Sequence, residues 1–198
     1  MSVIDCAVYR HGKRVDTPHD AGSLAHVIDD LAADDDPQSF LWAGLHDPTK
    51  KELSEFAGPL GLHDLAVEDA IEAHQRPKVE QYEKAGHLFM SVRAVEYHDD
   101  DIQTNEINMF LGEQFFLTVR KGGGHDLRSV RRHAEAHAEK LENGPIAALY
   151  AVLDSIVDDY EQVAAELEID VAEVEVSVFS GVRSSESTRI YRLKRETL

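Results

Sequence analysis

The chain has 198 residues, 42% of them hydrophobic, and carries 38 Asp and Glu against 20 Lys and Arg, a formal net charge of −18. Such a surface repels nucleic-acid phosphates and anionic lipid headgroups, and it attracts cations. A single cysteine, Cys6, excludes an internal disulfide framework and fits a reducing compartment; no stretch reads as a signal peptide, and the best apolar run, residues 146–157, is broken by Asp154 and is shorter than the roughly 20 residues a bilayer span needs.

Residues 3–8 and 14–17 flank His11-Gly12, the arrangement of a hairpin turn. Ser23 is placed to cap a helix whose Leu24, Val27, Ile28 and Leu31 share one face. Asp34-Asp35-Asp36-Pro37 reads as a loop and residues 39–45 as a buried strand. Asp47-Pro48 predicts a helix start with Asp47 as the cap. That helix carries Leu53, Phe56 and Ala57 and stops at Gly58-Pro59. Asp64 is placed to cap another helix running through residue 73, which Pro77 ends.

The period then changes. Residues 79–82, 87–97, 101–111 and 114–119 are rich in Val, Ile, Phe and Tyr and predict consecutive antiparallel strands. Lys121-Gly122-Gly123-Gly124 reads as a loop, and Asp126 is placed to cap a charged helix to about residue 141. After Asn143-Gly144-Pro145 a long helix is predicted to about residue 179. Its Ile146, Leu149, Leu153, Ile156, Tyr160, Val163, Leu167, Val171, Val174 and Val178 are mostly spaced alternately by three and four, a heptad seam that needs a partner. A last helix from about residue 185, with Ile190, Leu193 and a basic face, is the antiparallel candidate. The expected division is therefore residues 1–142 as an α/β unit and 143–198 as a long helical hairpin. Leu198 falls inside a helical pattern with no stop signal, the expectation for a chain cut before that helix ends.

Four sets of side chains bear on chemistry. Glu68, Asp69 and Glu72 crowd one short helix and suit a hard cation such as Mg²⁺, although an ordinary solvated face has the same spacing. Asp154 interrupts an apolar stretch, with Asp158 one turn on and Asp159 beside it; a carboxylate there calls for a metal or for a salt bridge to the α/β unit. His133 and His137 stand four apart, a spacing that can serve zinc but equally an exposed amphipathic helix. His74-Gln75-Arg76-Pro77-Lys78 is a basic turn that either clamps an anion or pins the helix to neighbouring acids. The three glycines lack a Gly-Lys-Ser/Thr pattern, and no nucleophile stands with a base.

Several of these segments, in this order, resemble the CorA family of divalent-cation channels. They are residues 42–49, residues 61–70 with the Glu68-Asp69-x₄-His74-Gln75-Arg76-Pro77-Lys78 block, residues 149–160 and residues 191–195. The resemblance implies an α/β fold, a mixed β-sheet sandwiched between helices (αβα) and followed by long paired helices. It implies a homopentamer at the cytoplasmic face of the cell membrane, with stalk, membrane helices and a pore-mouth Gly-Met-Asn beyond this chain. It implies no catalytic residues. Asp69 corresponds to the domain-side ligand of the family's main sensing site, and Glu68 and Asp154 to acids of a second metal position. The regulatory ion is then Mg²⁺, with Co²⁺, Ni²⁺ or Zn²⁺ as alternatives. Without the stalk the chain is expected to be a monomer or weak oligomer. A zinc-transporting relative and a soluble Mg²⁺-dependent hydrolase built on the same acids are the competing readings.

Overall fold

The computed structural model describes residues 3–18, 21–34, 36–72, 76–98, 101–123, 125–179, 190, 191 and 194. Seven strands, β1 (Val3–Arg10), β2 (Lys13–Asp16), β3 (Ser39–His46), β4 (Lys78–Tyr82), β5 (His87–His98), β6 (Asp101–Gly112) and β7 (Phe115–Lys121), form one sheet. Their spatial order is β2-β1-β3-β7-β6-β5-β4. Only the central pair β3 and β7 is parallel, so the sheet is mixed. The four strands from β4 to β7 form the predicted antiparallel meander, with β5 and β6 in register from His87↔Gly112 to His98↔Asp101.

Helices α1 (Ala21–Asp34), α2 (Lys50–Ala57) and α3 (Asp64–Glu72) cover one face, and α4 (Leu127–Glu135), α5 (Ala138–Leu141) and α6 (Pro145–Phe179) the other. The period of two explains why the sheet needs both layers. On β3, Leu41, Ala43 and Leu45 pack with Leu24, Leu53, Phe56 and Val67 in the first layer. The intervening Phe40 and Trp42 pack with Val130, Leu149, Val152 and Ile156 in the second. Each fully buried side chain of this size stabilises the fold by about 1.5–3 kcal/mol. Trp42 is held between Phe116, 6.0 Å away centre to centre, and the Arg131 guanidinium, 4.6 Å from its ring.

Several helix boundaries differ from those the sequence predicts. Helix α1 begins at Ala21, so Ser23 lies inside it. Thr49, not Asp47, caps α2: its hydroxyl accepts from the Glu52 amide while the Glu52 side chain accepts from the Thr49 amide. Asp47 adopts a φ of 45° and spends its carboxylate on the amide of Gly122. Asp126 does cap α4 through the Arg128 amide, but the helix breaks after Glu135 and resumes at Ala138. At the β1–β2 turn Gly12 has a φ of 73°, and a Cβ there would lie 1.9 Å from the Ala138 carbonyl oxygen, so only glycine lets the hairpin dock on α5.

Helix α6 spans 35 residues, as the pattern predicts, and its buried stripe matches the predicted seam only in part, at Leu149, Ile156, Val163 and Val174. Pro145, Ala148, Leu149, Val152, Ile156, Val163, Asp170 and Val174 are buried, while Ile146, Tyr160, Val171 and Val178 are exposed. The first half of α6 lies on the sheet, where small Ala148 permits close approach. Farther along, Asp170 takes a buried place and accepts the Tyr97 hydroxyl. The predicted partner helix falls almost wholly outside the described residues. No helix among the described residues is long and apolar enough to cross a membrane.

Candidate functional site

Glu68 and Asp69 sit in the middle of α3, whose Ala66, Val67 and Ala70 face the core. That burial turns Glu68 to solvent and leaves Asp69 at the border. The start of α3 is fixed by an aromatic group. The His63 ring stacks on Tyr82 at 4.3 Å, Tyr82 lies 5.3 Å from His87, and His87 lies 5.9 Å from Phe110. The His63 amide donates to His87 Nε2 at 3.0 Å, and the Leu65 amide to His63 Nδ1 at 3.3 Å. Burial, the largest influence, pushes the His87 pKa below its ordinary value, which keeps that acceptor nitrogen unprotonated.

Asp69 is engaged. Lys78 Nζ donates to its Oδ2 at 2.6 Å and lies 3.2 Å from Glu80 Oε2. Glu80 accepts the Tyr82 hydroxyl at 2.8 Å. That hydrogen bond, more than Lys78, holds the Glu80 carboxyl below the usual range. The Asp69 hydrogen bond is the main reason the Lys78 ammonium titrates above its ordinary value. The basic turn therefore pins α3 to β4 through Lys78, and Arg76 is exposed; His74 and Gln75 lie outside the described residues.

Asp154 is on α6, exposed, and accepts the hydroxyl of Tyr150 one turn earlier. The buried stripe passes to either side of it at Val152 and Ile156, so the interruption of the apolar pattern is solvent-facing. No Lys or Arg among the described residues bridges it to the sheet. Asp154 lines a groove of about 690 Å³ between α4 and α6, with His133, His137, Lys140 and Asp158. The His133 and His137 rings are 4.7 Å apart, but His137 Nδ1 is spent on the His133 carbonyl at 2.9 Å. Because α3 and α6 cover opposite faces of the sheet, Glu68 and Asp69 do not meet Asp154 within one chain.

Two features escape sequence reasoning. Asp5 on β1 holds two arginines: Arg14 at 2.9 Å and the nearly buried Arg131 at 3.1 Å. His125, 3% exposed, places Nδ1 2.6 Å from Asp159 Oδ2. Nothing in local spacing joins positions 5 and 131, or 125 and 159, because the contacts follow from the sheet order.

Comparison with known proteins agrees with this architecture. A Bacillus subtilis (strain 168) protein, YfjQ, is 27% identical over 139 residues, 70% of this chain and 42% of that protein. The cobalt/magnesium transport protein CorA of Thermotoga maritima is 23% identical over 136 residues, 68% of this chain and 39% of that protein. The chain thus spans less than half the length of these curated relatives. The soluble domain of CorA from Methanocaldococcus jannaschii shares the fold with a TM-score of 0.67 at 19% identity, over 100% of this chain and 73% of that one. The family model described as CorA-like Mg2+ transporter protein matches residues 37–198. With the mixed sheet, the two helix layers and the long α6 in place, the chain belongs to the CorA-like Mg²⁺ transporter family, a family of transporters and not of enzymes.

Proposed function

We propose that this chain is the cytoplasmic portion of a divalent-cation channel and that Glu68, Asp69 and Asp154 sense Mg²⁺ between neighbouring subunits. The observation that carries this reading is the placement of the acids on opposite outer layers of one folded unit, α3 on one side and α6 on the other. An ion cannot be chelated by all three within a chain. A neighbour that lays its acids against α3 or α6 supplies what is missing. Carboxylate oxygens on exposed helix faces suit Mg²⁺, which is bound through one or two carboxylates and keeps several waters.

The physics is a change of sign. Two facing carboxylates about 4 Å apart repel by roughly 1 kcal/mol in bulk water and about 4 kcal/mol at an intermediate dielectric. A bridging dication turns that repulsion into attraction. The net charge of −18 raises the local concentration of such ions. High internal Mg²⁺ then holds a ring of subunits, a homopentamer on the resemblance, in a closed arrangement. Its loss releases them, a population shift set by the difference in affinity between the two states. In this account Lys78 occupies Asp69 in the metal-free chain and yields it when Mg²⁺ arrives.

The test uses the full-length transporter in vesicles. Influx of Mg²⁺ should fall as Mg²⁺ on the cytoplasmic side rises. Glu68→Gln with Asp69→Asn should move that inhibition to at least tenfold higher Mg²⁺ while leaving maximal flux in place. Unchanged inhibition in the double variant would remove these acids from gating. Inhibition and flux that follow Zn²⁺ and not Mg²⁺ would favour the zinc-transporting alternative.

A further inference from the structure

One group of ligating side chains outside the sensing acids gathers around a buried imidazole. Glu96 lies on β5, His125 in the connection from β7 to α4, and Asp159 near the middle of α6. One ligand atom of each lies within 4.8 Å of the other two. His125 is almost wholly buried, and among the described residues its Nε2 has no hydrogen-bond partner, while Nδ1 faces Asp159. Glu96 and Asp159 are half-buried, so an ion has a path from solvent.

The carriers are braced. The His125 carbonyl accepts from Arg120 Nη1 at 2.6 Å and from the Leu127 amide at 3.0 Å. Next to Asp159, the Tyr160 hydroxyl donates to the Arg93 carbonyl on β5 at 2.7 Å. These contacts hold strand, connection and helix in a fixed relation before any ion binds. Ligands about 2.1 Å from a tetrahedral metal stand about 3.4 Å from one another. The 2.6 Å contact between His125 and Asp159 needs to open by less than 1 Å, and Glu96, within 4.8 Å of both, to close by at most about 1.4 Å.

We propose that Glu96, His125 and Asp159 form a second metal site that clamps α6 to the sheet and takes a transition dication, of the zinc, cobalt or nickel kind, in preference to Mg²⁺. The selectivity follows from the ligands. An imidazole nitrogen suits these borderline ions, whereas Mg²⁺ prefers an all-oxygen shell and retains its waters. Two carboxylates and a neutral imidazole also leave positions for water, the open coordination of a three-ligand site. The site is separate from the sensing acids and stands whether or not Glu68, Asp69 and Asp154 bind Mg²⁺.

The experiment titrates Co²⁺ alone into the 198-residue chain, following its visible absorption and the heat of binding. One high-affinity Co²⁺ per chain is expected, undisturbed by millimolar Mg²⁺. Glu96→Gln and Asp159→Asn should each weaken it at least tenfold, with the circular dichroism of the fold retained. Asp69→Asn should leave it unchanged, which separates this result from the fate of the sensing account. Affinity within twofold of the unmodified chain in both Glu96→Gln and Asp159→Asn would overturn the proposal. So would a cobalt signal that disappears only in a His133→Asn, His137→Asn double variant. His125→Gln, buried and more prone to misfold, is a supporting variant and not the deciding one.

Discussion

Lys78 reaches from β4 to place its ammonium 2.6 Å from Asp69 on α3, a side chain nine positions earlier in the chain. The charge that a divalent ion would occupy is thus already balanced by a monovalent one. Both side chains are about a quarter exposed, so exchange with an ion from solvent needs no unfolding. An ion pair of this exposure contributes up to about 1 kcal/mol, a cost that a dication can meet.

Removing the competitor should therefore tighten the site. Lys78→Gln is expected to lower the Mg²⁺ concentration that half-saturates the chain by about two- to fivefold, the equivalent of up to 1 kcal/mol. Calorimetric titration checks this. If Asp69 serves only to fasten α3, Lys78→Gln will lower stability and leave Mg²⁺ affinity untouched.

The His63–His87 contact predicts a pH dependence. Burial pushes the His87 pKa below its ordinary value, aided by nearby His63. Below about pH 6.5 the unfolded chain then binds a proton that the folded chain refuses. Stability is full above that pH and declines as pH falls below it. Chemical denaturation between pH 7.5 and 5 should show this slope. His87→Phe should flatten it and, by orphaning the His63 amide, cost about 1 kcal/mol at neutral pH.

Asp5 predicts loss of stability at lower pH still. Burial alone would raise its pKa, but the Arg14 hydrogen bond and the charges of Arg131 and Arg14 overcome this and hold it below the ordinary carboxylate value. Its contribution is present above about pH 4 and is lost as pH falls through the lowered folded pKa. Asp5→Asn should cost about 2 kcal/mol at pH 7, less than a fully enclosed pair because the Asp5 side chain is 29% exposed. Urea unfolding of the variant measures it. A change under 0.5 kcal/mol would mean that Arg131 is held by Trp42 alone.

Most of the fold was legible because its signals are local. The change to period two after Pro77 marks the β4–β7 meander, and the 35 residues of α6 show in unbroken helical pattern after Gly144-Pro145. The α2 cap was misplaced because Asp47-Pro48 has the composition of a helix start, while the reciprocal Thr49–Glu52 bonds win over it. The seam of α6 was legible only in part, at Leu149, Ile156, Val163 and Val174, because a heptad template favours large apolar residues, whereas the sheet surface also selects Ala148 and Asp170 takes a buried place. Glu68 and Asp69 could be singled out from their motif, but the placement of Asp154 on the opposite layer depends on which face α6 covers. The Lys78 ion pair was foreseeable as one of two readings of the basic turn. The Glu96–His125–Asp159 group was not, because its members come together only through sheet order and the path of α6.

The most direct measurement is a Mg²⁺ titration of the melting temperature of the 198-residue chain beside its Glu68→Gln, Asp69→Asn variant at fixed ionic strength. A ligand that binds only the folded state stabilises it by about 2.7 kcal/mol at 100 times its dissociation constant. The account predicts a saturable rise in the unmodified chain that the double variant loses. An identical rise in both would show that Mg²⁺ acts by screening the acidic surface and would contradict a sensing role for these carboxylates.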